Sequence, residues 1–246
     1  MDRSISRFLS FGLAVVLAVL SMRLVREDPR YVLVLVLVFV GLTVPAWLAR
    51  RRMRQVLLSG DIGRILGTWQ GSLRRVTYPE TMAPLMTATA YAAYGFIEEA
   101  RGALSRAARG PAWDAAVEQR LMVEALLDAY EGEREQAVTK AEAIEQLPMP
   151  EAGFWMRRKI ARLRRGVGAM ARAFAHASRP EDDAVLREAA RSSPLVYWAM
   201  RYGRAIVLVD SGKKDEARAL LDGAPSWPEA SAFRAFHDEL VSATAA

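Results

Sequence analysis

The chain contains no cysteine, which excludes disulfides, thiol nucleophiles and thiolate metal ligands. Histidine is almost as scarce. His176 and His237 are the only two, far apart and without the spacing of a metal-binding helix, so solvated or capping roles are expected for both. No phosphate-binding Walker loop, GxSxG elbow or dinucleotide fingerprint is present; the one GxG, at Gly166 and Gly168, lies inside a helical pattern. The acidic pairs Glu98/Glu99, Asp182/Asp183 and Asp215/Glu216 are placed at helix starts, where negative charge complements exposed amide groups. Ser192 and Ser193 before Pro194 mark a helix boundary. Catalytic, cofactor and metal residues are therefore expected to be absent, and the chain is expected not to be an enzyme.

Lysine is also rare, four against 30 arginines, a bias that warns against reading every arginine as functional. The net charge of +6 is unevenly placed. Residues 1–54 hold nine Arg and three Asp or Glu, whereas the remainder holds 25 of each sign. A neutral remainder argues against a phosphate-binding surface, so no nucleic-acid partner is expected.

What the sequence does contain, near its start, is apolar length. From Tyr31 to Leu48 there are eighteen residues without charge, twelve of them Val, Leu or Phe. As a helix they would reach about 27 Å, against a hydrocarbon core ~30 Å thick. Strand-length segments are much shorter, ~4–8 residues, and a lone strand cannot satisfy its backbone in lipid. A second run, Phe8–Met22, precedes it and ends before the turn RLVREDPR. Read alone, that first run has a cleaved signal peptide as its alternative. The expectation is a two-helix transmembrane hairpin over residues 1–54 with basic flanks, multi-pass in the inner or plasma membrane. Arg50, Arg51, Arg52 and Arg54 follow the second run, and Arg3 and Arg7 precede the first; this places both ends, and so the C-terminal domain, in the cytoplasm.

Beyond residue 55 no segment alternates at strand period; apolar residues recur at three and four, and Gly or Pro punctuates every ten to twenty residues. An internal repeat emerges when Gly95, Gly132 and Gly212 are aligned. Seven residues before each stands Ala88, Ala125 or Ala205, and five after each stands Ala100, Ala137 or Ala217. Sixteen after each comes Pro111, Pro148 or Pro228. Glycine lets the chain reverse after a helix, small alanines allow two antiparallel helices to approach, and proline closes the unit. A single such pair leaves apolar surface on both sides, so it needs stacked neighbours.

With these residues the sequence resembles the tetratricopeptide repeat family. Tyr91, Asp128 and Leu208 take the family's larger position, Asp128 being a departure, and the glycine spacing of 37 and then 80 is loose beside the family's ~34. The resemblance implies an all-α fold: a right-handed α-solenoid over residues 55–246. Clear repeats are expected at about 81–111, 118–148 and 198–228, with degenerate units at about 45–76 and 152–194. An irregular helical bundle is the rival reading.

Such solenoids bind peptides or helices along the face made by the first helix of each pair. By resemblance the contact positions are Leu85, Thr89, Met122, Leu126, Tyr202 and Ile206; being mostly apolar, they favour an apolar or helical ligand or a groove filled by the protein itself. The segment FWMRRKIARLRRGVGAMARAF adds a stripe of Met156, Ile160, Leu163, Val167, Met170 and Phe174. Opposite it lie Arg158, Arg162, Arg165 and Arg172, able to meet an acidic partner or anionic lipid or simply to form a solvated helix face. The functional expectation is a membrane-anchored, non-catalytic scaffold or adaptor that captures a protein partner at the cytoplasmic face. Its alternatives are the same scaffold facing the periplasm or exterior as a secretion or envelope-assembly accessory, and a helical enzyme of unrecognised class. The implied partners are a lipid bilayer and a protein offering a peptide or helix, with a homo-oligomer or larger membrane complex left open and no cofactor.

Overall fold

The structure, a computed structural model, describes residues 30–73 and 75–245, with side chains from residue 36 onward except those of 38, 39 and 42. These residues form twelve α-helices and a short 3-10 turn, and no strand occurs among them; the fold is all-α. The chain divides into two units, Met1–Met53 and Arg54–Ala246.

Helix α1 runs from Arg30 to Leu58 and contains Pro45. It carries the second apolar run, while the first run, Phe8–Met22, and the turn after it lie outside the described residues. Among the described residues no helix is long and apolar enough to cross a membrane, and the expected two-span inner-membrane location with a cytoplasmic C-terminal domain is corrected accordingly. The part of α1 with an unbroken set of described side chains, 43–58, contains Arg50, Arg51, Arg52 and Arg54. Each guanidinium would oppose insertion at a bilayer centre by roughly 2.5–3.5 kcal/mol. Arg51 instead lies over the exposed Trp47 ring, 5.4 Å from its centroid.

The second unit begins with the last residues of α1, followed by α2 (Ile62–Leu73) and four helix pairs. They are α3 (Pro79–Ala93) with α4 (Ile97–Ser105), α6 (Val117–Glu131) with α7 (Arg134–Gln146), α8 (Phe154–Phe174) with α9 (Asp182–Ser192), and α10 (Tyr197–Asp210) with α11 (Lys214–Leu221). A short α5 (Pro111–Ala115) precedes α6, the 3-10 turn Pro194–Val196 precedes α10, and α12 (Ala232–Ala245) follows α11. Each second helix packs on the first helix of the next pair, and successive first helices α3, α6, α8 and α10 also touch.

All four pairs reverse in the same way. After α3, α6 and α10 the turn residue is Gly95, Gly132 or Gly212, with φ of 75°, 82° and 74°. In each, the next residue's N–H donates to the carbonyl four before the glycine: Phe96 to Tyr91, Glu133 to Asp128, Lys213 to Leu208. After α8 the same bond runs from Ala177 to Arg172, around His176 at φ 52°. Seven residues before each turn residue stands a fully buried alanine, Ala88, Ala125, Ala169 or Ala205. The α8/α9 pair is thus built like the others with histidine in the left-handed position, which costs a non-glycine residue about 1 kcal/mol. The second-helix alanines Ala100, Ala137 and Ala217 are likewise fully buried, Pro111 starts α5, and Pro148 and Pro228 lie in connecting segments.

The C-terminal segment closes the array. Trp227 and Phe233 are buried against Tyr202 of α10, and Trp227 Nε1 donates to the Tyr202 hydroxyl at 2.6 Å. Phe233 also meets Tyr130 at the end of α6, 5.4 Å between centroids, and Phe236 meets Phe174 at the end of α8, 5.1 Å. Ser231 Oγ donates to the Tyr94 carbonyl and the Ala232 N–H to that of Gly95. Residues 227–236 therefore cover the C-terminal ends of α3, α6 and α8 and the middle of α10.

Candidate functional site

The expected contact residues lie mostly in the interior of this fold. Leu85, Thr89, Leu126, Tyr202 and Ile206 are buried inside the fold, so they are not surface positions in this state. Tyr202 is taken by Trp227 and Phe233, and Thr89 accepts from Gln119 Nε2 at 2.9 Å. Met122 lines an open cleft of about 760 Å³ between the N-terminal halves of α3, α6 and α8, and the buried Ile206 lines a smaller second cavity.

Three local features shape this cleft. Pro84, inside α3, cannot donate to the Glu80 carbonyl one turn earlier; the Ala108 N–H takes that acceptor at 3.1 Å, and Thr81 Oγ1 returns a bond to the Ala108 carbonyl. The loop after α4 is thereby docked on α3 and delivers Gly110 and Pro111 to start α5. Trp113 of α5 is buried between the guanidinium groups of Arg109 and Arg120, 3.7 and 4.6 Å from its ring centroid. With that side pinned, the small residues Ala112, Ala115 and Ala116 line the cleft and give it depth. On the far wall Arg164 of α8 is nearly inaccessible, holds the Glu118 carboxylate with two 2.9 Å bonds, and donates to the Leu147 and Pro148 carbonyls. The Glu118 bond raises the guanidinium above its ordinary pKa, against the effect of burial.

Apolar side chains dominate the lining: Val76, Met82, Met122 and Leu163, with Tyr78 at the edge. Tyr78 is exposed and holds φ 56° immediately before Pro79, a strained backbone of the kind that concentrates at ligand-contacting sites. Arg75 is exposed, whereas Glu118 is committed to Arg164. Unbranched methionines can repack around differently shaped apolar side chains.

The stripe on α8 is graded. Val167, Met170 and Phe174 are buried, Ile160 and Leu163 half-buried and Met156 exposed. Arg158 and Arg165 are exposed on the side away from Leu163; Arg162 pairs with Glu188 of α9 at 2.6 Å. The expectation of a solvated Arg172 is corrected: it is largely buried and grips Asp182, which also accepts from the Arg179 N–H. Its pKa is raised by that hydrogen bond despite burial.

A second cavity of about 240 Å³ lies where α6, α8, α10 and α12 meet, lined in part by Tyr130, Phe174, His176, Asp210 and Phe236. His176 Nδ1 is 3.1 Å from both Asp210 oxygens, and His237 Nδ1 is 3.2 Å from the Tyr202 hydroxyl. No serine or threonine lines this cavity for the His–Asp pair to activate. Among the described residues no three His, Cys, Asp or Glu side chains gather as a metal site.

The signal that sequence reasoning missed is the aligned pair Ala169 and His176, hidden because the turn residue is not glycine. The chain matches no family model, no curated protein and no solved structure.

Proposed function

We propose that the second unit is a tetratricopeptide-like α-solenoid that acts as a non-catalytic protein-binding module. Its ligand is an apolar segment of a partner protein, helical or extended, seated in the cleft beside Met122. The observation that carries this reading is the cleft itself: about 760 Å³, open, walled by Met82, Met122 and Leu163 on three different first helices. Because the C-terminal segment covers the other end of the same face, it leaves this half for a partner. Volumes of ~300–1,000 Å³ are usual for ligand pockets, and several side chains fit here. Arg75 at the edge favours an acidic residue in the ligand next to its apolar anchors.

Photo-crosslinking tests this in cells of the source organism. A benzoylphenylalanine at Met122 is expected to trap a discrete protein that the same group at the exposed Lys214 does not. Met82→Arg, with unchanged circular dichroism, is expected to abolish the product. Identical products from both positions, or a product that survives Met82→Arg, would overturn the proposal.

A further inference from the structure

The first six residues of α8, Phe154 to Lys159, are all exposed, although the helix from Gly166 to Ala171 is core. Successive helical residues point ~100° apart, so six exposed in a row leave these turns uncovered on every side. They project from the fold.

Along this projection the chemistry is sorted by height. Phe154, Trp155 and Met156, exposed by 69, 78 and 53 %, take up three directions around the axis and form an apolar tip, with the Phe154 and Trp155 rings 5.6 Å apart. Arg157, Arg158 and Lys159 take up three directions one turn further on. No carboxylate lies within ion-pair distance of these three among the described residues, although most arginines deeper in the same helix are paired. Met149, in the preceding loop, is exposed as well.

A groove in a partner protein would select one side of the helix, with apolar residues on that side and charge on the other. Here apolarity and charge are instead layered along the axis. A layered environment matches it: acyl chain and glycerol for the tip, phosphate for the cationic collar. The tip and collar each rise ~4.5 Å, together the ~5–10 Å depth reached by interfacial segments. We infer that the projecting end of α8 docks end-on against an anionic lipid surface. This is a surface contact, which requires no spanning helix, and it is independent of the ligand in the cleft.

The absence of cysteine makes a local probe simple. Full-length chain carrying Trp155→Cys labelled with an environment-sensitive nitrobenzoxadiazole dye is mixed with phosphatidylcholine vesicles, with or without phosphatidylglycerol. Expected are a blue shift and quenching by brominated acyl chains on the anionic vesicles, little of either on neutral ones, and reversal by salt. A label at Lys214→Cys is expected to stay unchanged, and Phe154→Cys, at another exposed tip position, to reproduce the result. Replacing Arg157, Arg158 and Lys159 with Gln is expected to lower the partition coefficient read at position 155 by roughly 100-fold. The inference fails if the label is silent on anionic vesicles, or if its shift is equal on neutral vesicles and unaffected by the triple replacement. A shift produced by an acidic amphipathic peptide but by no vesicle would replace the lipid surface with a protein partner.

Discussion

Gly166 and Gly168 sit two residues apart in α8 and are both buried, yet substituting alanine should have opposite consequences. A Cβ at Gly166 would fall closer than 3.0 Å to the Ala189 Cβ of α9, a rigid atom that moves only if the two helices separate. Overpacking of this kind costs about 1–3 kcal/mol, and the better helix propensity of alanine returns about 1 kcal/mol. Gly166→Ala should therefore lose up to ~2 kcal/mol, or up to ~8 °C in Tm for a chain of this size. At Gly168 the near atom is Oε1 of Glu145, 2.5 Å away, the far end of a flexible side chain. Gly168→Ala should be neutral or stabilising by up to ~1 kcal/mol. Urea unfolding followed by circular dichroism on both variants reads the difference directly. Adding Ala189→Gly to Gly166→Ala should cost less than the two single losses combined, with ~1 kcal/mol or more of coupling. If Gly166→Ala proves as stable as Gly168→Ala, the close crossing of α8 and α9 is not as described.

Three further outcomes are expected. Burial raises the hydroxyl pKa values of Tyr94, Tyr130 and Tyr202 above the ordinary 10; below pH 10 neither state is ionised, and above it only the unfolded chain gives up these protons. Stability should therefore fall by ~1.4 kcal/mol per pH unit per tyrosine, about 4 kcal/mol per unit for the three, and tyrosinate absorbance from them should appear only together with loss of helical signal. Asp182→Asn removes the charge that Arg172 grips in a fully buried position and should cost about 3 kcal/mol by thermal or urea denaturation. A chain ending at Asp222 loses Trp227 and Phe233 and uncovers Tyr130 and Tyr202; it should bind an apolar dye and unfold without a sharp transition, whereas a cooperative, dye-free truncation would refute the closure.

The helices were legible because their apolar spacing is local, and three of the four reversals because glycine announces a left-handed residue. The fourth was not, since His176 adopts the same backbone through context. Arg172 looked solvated because nothing near it in sequence predicts that Asp182, across the turn, would be buried with it. Burial of the expected contact residues was also out of reach. Tyr202 is met by Trp227 and Thr89 by Gln119, pairs 25 and 30 positions apart, for which helical periodicity carries no information. The run Tyr31–Leu48 was read by its own composition, and the arginines that follow it in the same helix counted as flanks instead of as part of the element.

The fastening of residues 227–236 across the ends of α3, α6 and α8 and the middle of α10 bears on how the molecule is made. During synthesis the four hairpins leave the ribosome one after another, each with its apolar inner edge still bare. The segment that shields them emerges after all four. Until then the nascent protein should depend on chaperones, and its half-life in the cell should be set by how quickly that stretch snaps into place.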